Sequence, residues 1–400
     1  MTRTEKLLAA LIALPSVNPA FAPAGRVSSR SPQRYGEQTV AEFLATIAAR
    51  AGLEIEFQTV FKGRGPAQAQ NGGNQPPASE ARRSNLIVRL RPAGKIRRTI
   101  LLAPHLDTVG AAEAQFIPRQ KNGRLHGRGA CDTKGSVAAM LTALCELAES
   151  KSRPGGTQIV FAGLVDEENA QAGSRALAAS GFRADLAIVG EPTRLEIVTA
   201  HKGSLWLQLA THGRAAHGAK PHLGKNAVHE MSRIVDILET KYAAQLGRRR
   251  HRLLGPATVN VGTIAGGTQP NIVPDRCAIS IDRRTLPGET ENSVRREIAG
   301  LLKSEKLSAQ FSCARFAPAL PLETNPRLPL VQALMRSAGQ SKPAGVDYFC
   351  DAAVLSAAGI PSVVFGPGDI AQAHTTNEWI SLAELERGKG LLLKFLKSLS

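Results

Sequence analysis

The sequence predicts an α/β protein of two domains, in which a mostly parallel sheet is interrupted by a smaller inserted α+β domain. Three observations predict it. Apolar runs alternate with helical patterns in both flanks of the chain. The texture between about His201 and Phe316 changes to period-two alternation. The strand-helix alternation then resumes. Alternation of the first kind implies right-handed crossovers and parallel strands. Alternation of the second kind implies half-buried antiparallel strands.

In chain order, Ile100 to Pro104 is a short continuous apolar run, the pattern of a buried strand. Gly135 to Ser150 is rich in Ala, Leu and Glu and predicts a helix. Gln158 to Val165 predicts the next strand, Ser174 to Ala179 a short helix, and Asp185 to Val189 a third strand. Leu205 to Leu209 and Cys277 to Asp282 alternate apolar with polar residues. Two helices are expected beside them, Asn226 to Ala243 and Glu291 to Lys306. Two helices on one face of an antiparallel sheet is an α+β layer pattern. Helices at Leu328 to Ser337 and Asp351 to Ala358, a strand at Ser362 to Phe365 and a terminal helix at Leu382 to Leu399 complete the first pattern. The expected division is 1–200 with 317–400 for the larger domain and 201–316 for the insertion. Gly63 to Ser84, rich in Gly, Pro, Gln, Asn and Ala, reads as a flexible loop.

Composition bounds the function. The chain has 400 residues and 43% hydrophobic content, ordinary for a globular protein of two domains. Its longest apolar run, Leu7 to Leu14, is far short of the roughly 20 residues of a membrane span, so no membrane association is expected. Arg3, Lys6 and Ala20-Phe21-Ala22 sketch a secretory signal, but Glu5 sits in the would-be basic region. The favoured reading is an amphipathic first helix ending at Pro15. Five cysteines, an odd count without any CxxC, argue for a reducing, cytoplasmic setting. The net charge is +17, yet the basic residues are spread along the chain. The densest run, Arg248 to Arg252, lacks interleaved aromatics, and aromatics are only 4% overall. Little is available for stacking bases, so no nucleic-acid partner is expected.

Chelating residues recur where the predicted strands end. His105 and Asp107 close the first strand. Asp132 precedes a helix, Glu167 and Glu168 follow the second strand, Glu191 follows the third, and His374 follows the last. In open α/β sheets, ligands bind at the carboxyl ends of strands. A two-metal hydrolase needs a bridging carboxylate, further N/O ligands for each ion, and one free base. This set can fill those roles. His105 and Asp107 lie two apart on a strand and share a face, so Asp107 can fix the tautomer of a ligating His105. Adjacent Glu167 and Glu168 diverge if the strand stays extended, leaving one free to activate water. Donors of Asp, Glu and His type suit zinc, and also cobalt or manganese.

The segments Pro104-His105-Leu106-Asp107-Thr108-Val109, Gly127-Arg128-Gly129 with Asp132-Thr133-Lys134-Gly135, Asp166-Glu167-Glu168, Gly190-Glu191-Pro192-Thr193, and Ala373-His374 before Asn377-Glu378 carry a resemblance. They are similar to the M20 metallopeptidase/aminoacylase family, which includes acetylornithine deacetylases, succinyl-diaminopimelate desuccinylases, aminoacylases and glutamate carboxypeptidases. The resemblance covers nearly the whole chain. It implies two divalent metal ions, with zinc the first expectation. Asp132 matches the bridging carboxylate, His105 and Glu191 the ligands of one ion, and Glu168 and His374 those of the other. Glu167 matches the general base and Asp107 the partner of His105. A cis peptide between Asp132 and Thr133 is expected.

The inserted domain resembles the family's ferredoxin-like lid and dimerisation domain. His212 to Ala219 matches the segment whose histidine, here His217, helps form the oxyanion hole and in dimeric members reaches the partner's active site. Gly266 to Pro274 matches a lid turn where Asn271 can touch substrate. Asp282 to Gly288 matches a strand end where Arg284 binds the substrate carboxylate. Two departures stand out: the 63–84 stretch, and Cys350 where the family pattern has Thr. The resemblance implies a deacylase of N-acylated amino acids acting as a homodimer. A dipeptidase or carboxypeptidase would use the same metal set. A non-catalytic metal- or ligand-binding protein would not need Glu167.

Overall fold

A computed structural model describes residues 1–21, 36–61, 82–150, 153–313 and 319–399. Most of the 63–84 stretch lies outside these residues. Its end does not: Arg83 and Ser84 begin the strand Arg83–Leu90. The chain forms two compact units. One holds Met1–Thr199, Thr324–Ala344 and Cys350–Ser400, and the other Ala200–Glu323 and Gly345–Phe349.

The first unit is built on a mixed sheet. Its parallel centre is Thr157–Gly163, Arg98–Ala103, Leu186–Val189 and Ser362–Val364. These strands are buried on both faces, which is why they read as continuous apolar runs. Antiparallel strands flank them: Arg83–Leu90 and Glu54–Phe61 on one side, Val198–His201 on the other. The sheet is therefore less parallel than the sequence predicts: these three flanking strands run antiparallel to their neighbours, and strand 54–61 alternates only over Glu54–Phe57 before its register shifts between Thr59 and Phe61.

Helix Lys134–Glu149 lies in the core, with 14 of its 16 residues buried. It is apolar nearly all round, as a buried helix must be. Helix Arg3–Ala13 begins in a Thr2/Glu5 capping box. Its Leu7, Leu8, Leu11 and Ile12 join the same core as Leu141, Leu144 and Phe395. The first helix is thus part of the packed unit. Helix Leu382–Lys397 contributes Leu385, Leu392, Phe395 and Leu396. Among the described residues no helix is long and apolar enough to cross a membrane.

The second unit runs strand Gly203–His212, helix Ala227–Ile237, strands Thr258–Gly266 and Arg276–Thr285, helix Glu291–Ser304, strand Gln310–Cys313. The sheet order is 258–266, 276–285, 203–212, 310–313, all antiparallel. That is the ferredoxin-like split arrangement. Strand 276–285 alternates strictly, with Cys277, Ile279 and Ile281 buried against Met231, Ile234, Val294 and Ile298 of the helices. The first helix continues past Ile237 through a π turn, Leu238–Tyr242, into Ala243–Arg248.

Candidate metal centre

Four loops leave the carboxyl ends of the central parallel strands, and the chelating residues sit on them or on the loop before helix 134–149. His105 follows strand 98–103 and keeps a parallel bridge to Leu164. Glu167 and Glu168 do not continue strand 157–163. Asp166 has φ +68° and turns the chain first, so both carboxylates leave from a turn rather than from extended backbone. Glu191 follows strand 186–189, and His374, at φ +61°, follows strand 362–364. The Asp132–Thr133 peptide is cis.

These residues converge. His105, Asp132 and Glu168 each place a ligand atom within 4.8 Å of the others. Asp132 stands between the two imidazoles: Oδ1 is 3.1 Å from His105 Nε2 and Oδ2 is 3.3 Å from His374 Nε2. His374 Nε2 is also 3.1 Å from Glu168 Oε2, and His105 Nε2 is 3.9 Å from Glu191 Oε1. On its other side, His105 Nδ1 lies 3.0 Å from the Asp107 carbonyl oxygen and 3.4 Å from its carboxylate. That fixes the ring and turns Nε2 toward the acids.

The electrostatics are those of a cation-deficient cluster. Burial pushes the carboxyls of Glu167 and Glu191 well above the usual carboxylate range, and neighbouring carboxylates add to it. Glu168 is raised by burial and by Asp132. Burial also opposes ionisation of Asp132, but hydrogen bonds from His105 and His374 outweigh it and hold that carboxyl below the usual range. Hydrogen bonds to Asp132 and Glu168 raise His374 to about 10. Burial works against a charged His105, yet Glu191, Asp107 and Asp132 raise it well above its ordinary value. Among the described residues, the cations that favour ionisation of Asp132, Glu167, Glu168 and Glu191 are the imidazoles of His105 and His374. Divalent cations would supply the missing positive charge, so the donor set fits metal ions.

Several supporting residues carry no role in the sequence reading. Glu378 accepts hydrogen bonds from the loop ending at Asp132. Asn18 Nδ2 donates to Asp107 and to Asp166. Arg83 pairs with Glu37 at 2.6 Å and with Asp166 at 3.2 Å, all three buried. Asp351 lies within electrostatic reach of Glu167 and Glu191, and burial pushes it up to about 7. The sequence signal for Glu378 was its place beside His374. Asn18, Glu37 and Arg83 come from distant segments with no pattern of their own.

The other predicted residues belong to the second unit. His217 pairs with Ile272 across two turns, and Gly218 N–H donates to the Asn271 carbonyl oxygen at 2.7 Å. His217 Nδ1 accepts from Ala219 N–H at 3.0 Å. The neutral ring therefore carries its proton on Nε2, as a donor. A cleft of about 540 Å³ beside these turns is lined by Gly218, Asn226, Thr268, Gln269 and Ile272, among others. Arg284 lies elsewhere. It pairs with Ser204 at one end of the sheet, whereas the turns of His217 and Asn271 follow the His212–Arg276 end. Eight residues of extended strand separate Arg284 from Arg276, roughly 26 Å. Arg284 Nε donates to Asp282 Oδ2 at 3.0 Å, and its guanidinium lies 5.9 Å from the centre of the Phe349 ring.

Residues 101–398 match the family described as peptidase family M20/M25/M40. An acetylornithine deacetylase of Myxococcus xanthus is 32% identical over 321 residues, covering 78% of this chain and 82% of its own length. An acetylornithine deacetylase of Edwardsiella ictaluri is 32% identical over 323 residues, covering 77% and 81%. Aminopeptidase PepT of Bacillus cereus is similar in structure, with a TM-score of 0.75 at 23% identity, covering 99% of this chain and 98% of that one. At that identity the likeness bears on the fold alone.

Proposed function

The chain belongs to peptidase family M20/M25/M40 and is a metal-dependent hydrolase; on that premise we propose that it is a deacylase, cleaving the amide bond of an N-acylated amino acid. One observation carries the site. Asp132 offers one oxygen to His105 and the other to His374, which is what a carboxylate shared by two cations requires. Asp132 would bridge the ions, His105 and Glu191 would hold one, and Glu168 and His374 the other. Zinc fits this donor set first, cobalt and manganese also. When bound, the ions supply Lewis acidity and a water that loses its proton near neutral pH.

The chain's own residues do the rest. Glu167 takes the proton of the attacking water and hands it to the leaving amine. Its buried carboxyl favours holding that proton between the two transfers. His217 donates from Nε2 to the carbonyl oxygen as charge develops there. Asp107 keeps His105 in orientation. Arg284 and Asn271 bind the carboxylate of the amino-acid part. Within one copy, Arg284 and the His217–Asn271 turns sit at opposite ends of one sheet, too far apart for a single small substrate. Two copies would resolve this, which supports a homodimer. The edge strand Thr258–Gly266, with Ile264 exposed, is the surface proposed for it. The five free cysteines support a reducing, cytoplasmic setting.

The deacylase reading is favoured over a dipeptidase because two relatives at 32% identity are acetylornithine deacetylases. The test is hydrolysis by metal-reconstituted protein of N-acetyl-ornithine, N-succinyl-diaminopimelate, other N-acyl amino acids and simple dipeptides, with Glu167→Ala as control. One strongly preferred N-acyl substrate is expected. Broad dipeptide cleavage would make the chain a peptidase. Silence across the panel with metals bound would remove the substrate class.

A further inference from the structure

We infer that Glu378 is a positioning residue of the metal centre, whose carboxylate sets the loop that delivers Asp132. The inference rests on the metal-centre reading above.

The loop Gly127–Asp132 has no helix or sheet ladder of its own to hold it. It needs positive φ at Gly127 (+153°) and Gly129 (+79°), where added side chains would also collide with Ile12 and Lys134. Arg128 N–H donates to the Gln115 carbonyl oxygen and Ala130 N–H to that of Gly127, whereas the N–H groups of Gly129, Cys131 and Asp132 meet no backbone carbonyl among the described residues. Glu378 is their partner. One carboxylate oxygen accepts from Cys131 N–H at 2.8 Å and Asp132 N–H at 3.0 Å. The other accepts from Gly129 N–H at 2.9 Å and from Arg128 Nη1 at 2.7 Å. The Glu378 carbonyl oxygen also accepts from Gly127 N–H at 3.0 Å. The side chain is 1% exposed, so water cannot take over these four donors.

Four donors on two oxygens demand an anion. An amide of the same shape offers one acceptor oxygen and turns an NH2 group on the remaining two donors. Arg128, itself buried, balances the buried charge. Glu378 also stands four residues beyond His374 on the same segment. The residue that fixes the backbone of Asp132 is thus tied to the segment carrying His374, and the 3.3 Å approach of those two side chains depends on both. Among the described residues the Glu378 carboxylate bonds to backbone N–H groups and Arg128 and to no candidate ligand side chain, so it acts through the loop.

The test compares wild type with Glu378→Gln by titrating cobalt(II) into metal-free protein, following visible absorption and apparent affinity. Wild type should bind cobalt with the absorption of a defined coordination geometry. Glu378→Gln should bind at least one ion about 10- to 100-fold more weakly, with a changed spectrum and a lowered kcat at little-changed KM, while still melting cooperatively. A variant that melts lower but keeps the wild-type affinity and spectrum would show Glu378 serving only stability, and would overturn the inference. A wild-type chain that binds no cobalt would overturn the metal centre and the inference together. Should Glu378→Gln not fold, Glu378→Asp, which keeps both oxygens but withdraws them by one methylene, is read by the same affinity and spectral criteria.

Discussion

Asn18 Nδ2 lies 2.7 Å from Asp107 Oδ2 and donates to it. The same nitrogen donates to Asp166 Oδ1 at 2.9 Å. Asp107 in turn accepts from the backbone N–H groups of Glu167 and Glu168, both at 3.1 Å. One amide therefore braces the carboxylate that orients His105 and also receives the turn carrying the proposed base. Asn18→Ala leaves two buried carboxylates without their shared donor. Stability should fall by on the order of 1–3 kcal/mol, and activity by about 10- to 100-fold. Denaturant midpoints and kcat check this. A variant unchanged in both would mean that the Arg83–Glu37 pair alone holds Asp166 and its turn.

Glu167→Ala should retain wild-type metal content and lose about 10²- to 10⁴-fold in kcat. The proposed ligands are other residues, so nothing that holds an ion is removed. Metal analysis beside single-turnover kinetics separates the two properties. Metal content falling in step with activity would mean that the base and ligand assignments are wrong.

Local patterns foresaw the elements that position the site. Strands 98–103, 157–163 and 186–189 are continuous apolar runs because both faces are covered, and helix 134–149 is apolar nearly all round for the same reason. Strand 54–61 escaped because its alternation covers only Glu54–Phe57 and its residues are half-buried or exposed. Most of the chelating residues were legible as candidates because they follow central parallel strands, whose ends meet at one edge of the sheet; Asp132 instead sits before helix 134–149. Asn18, Glu37 and Arg83 were not. Their roles arise from contacts between residues 46 to 148 positions apart in sequence, and no local pattern marks a buried polar partner. The turn at Asp166 was likewise invisible, since a non-glycine residue at positive φ leaves no compositional trace.

Chelation should destabilise the protein. Without metal, the Glu167, Glu168 and Glu191 carboxyls crowd beside Asp132, and His105 and His374 are the cations that offset them among the described residues. Ions that bind only the folded chain stabilise it by about 2.7 kcal/mol at a hundredfold excess over Kd. The melting temperature should drop on treatment with a chelator and return on adding zinc or cobalt. An unchanged melting temperature, with metal shown to be removed, would mean that the acids do not depend on bound cations.

His201 gives a pH dependence separate from the metal centre. It is fully buried in the second unit. Its Nδ1–H donates to the Lys202 carbonyl oxygen at 2.8 Å, and Nε2 has no partner among the described residues. Burial lowers its pKa to about 4, against about 6.5 in an unfolded chain. The sign follows from proton binding. Above about pH 6.5 the ring is neutral in both states and contributes no slope. Between about 6.5 and 4 the unfolded chain takes up a proton that the folded chain refuses, so stability falls with pH. Below about 4 both states are protonated and the loss levels off. His201→Leu removes this group from both states. The variant starts less stable, having lost the hydrogen bond to Lys202. From pH 7 to 4.5 it should then lose about 2 kcal/mol less than wild type. Urea unfolding followed by the fluorescence of Trp206, which lies in the same unit, compares the two across that range. Parallel curves would mean that the folded protein accommodates a charged His201, and that burial does not hold it neutral.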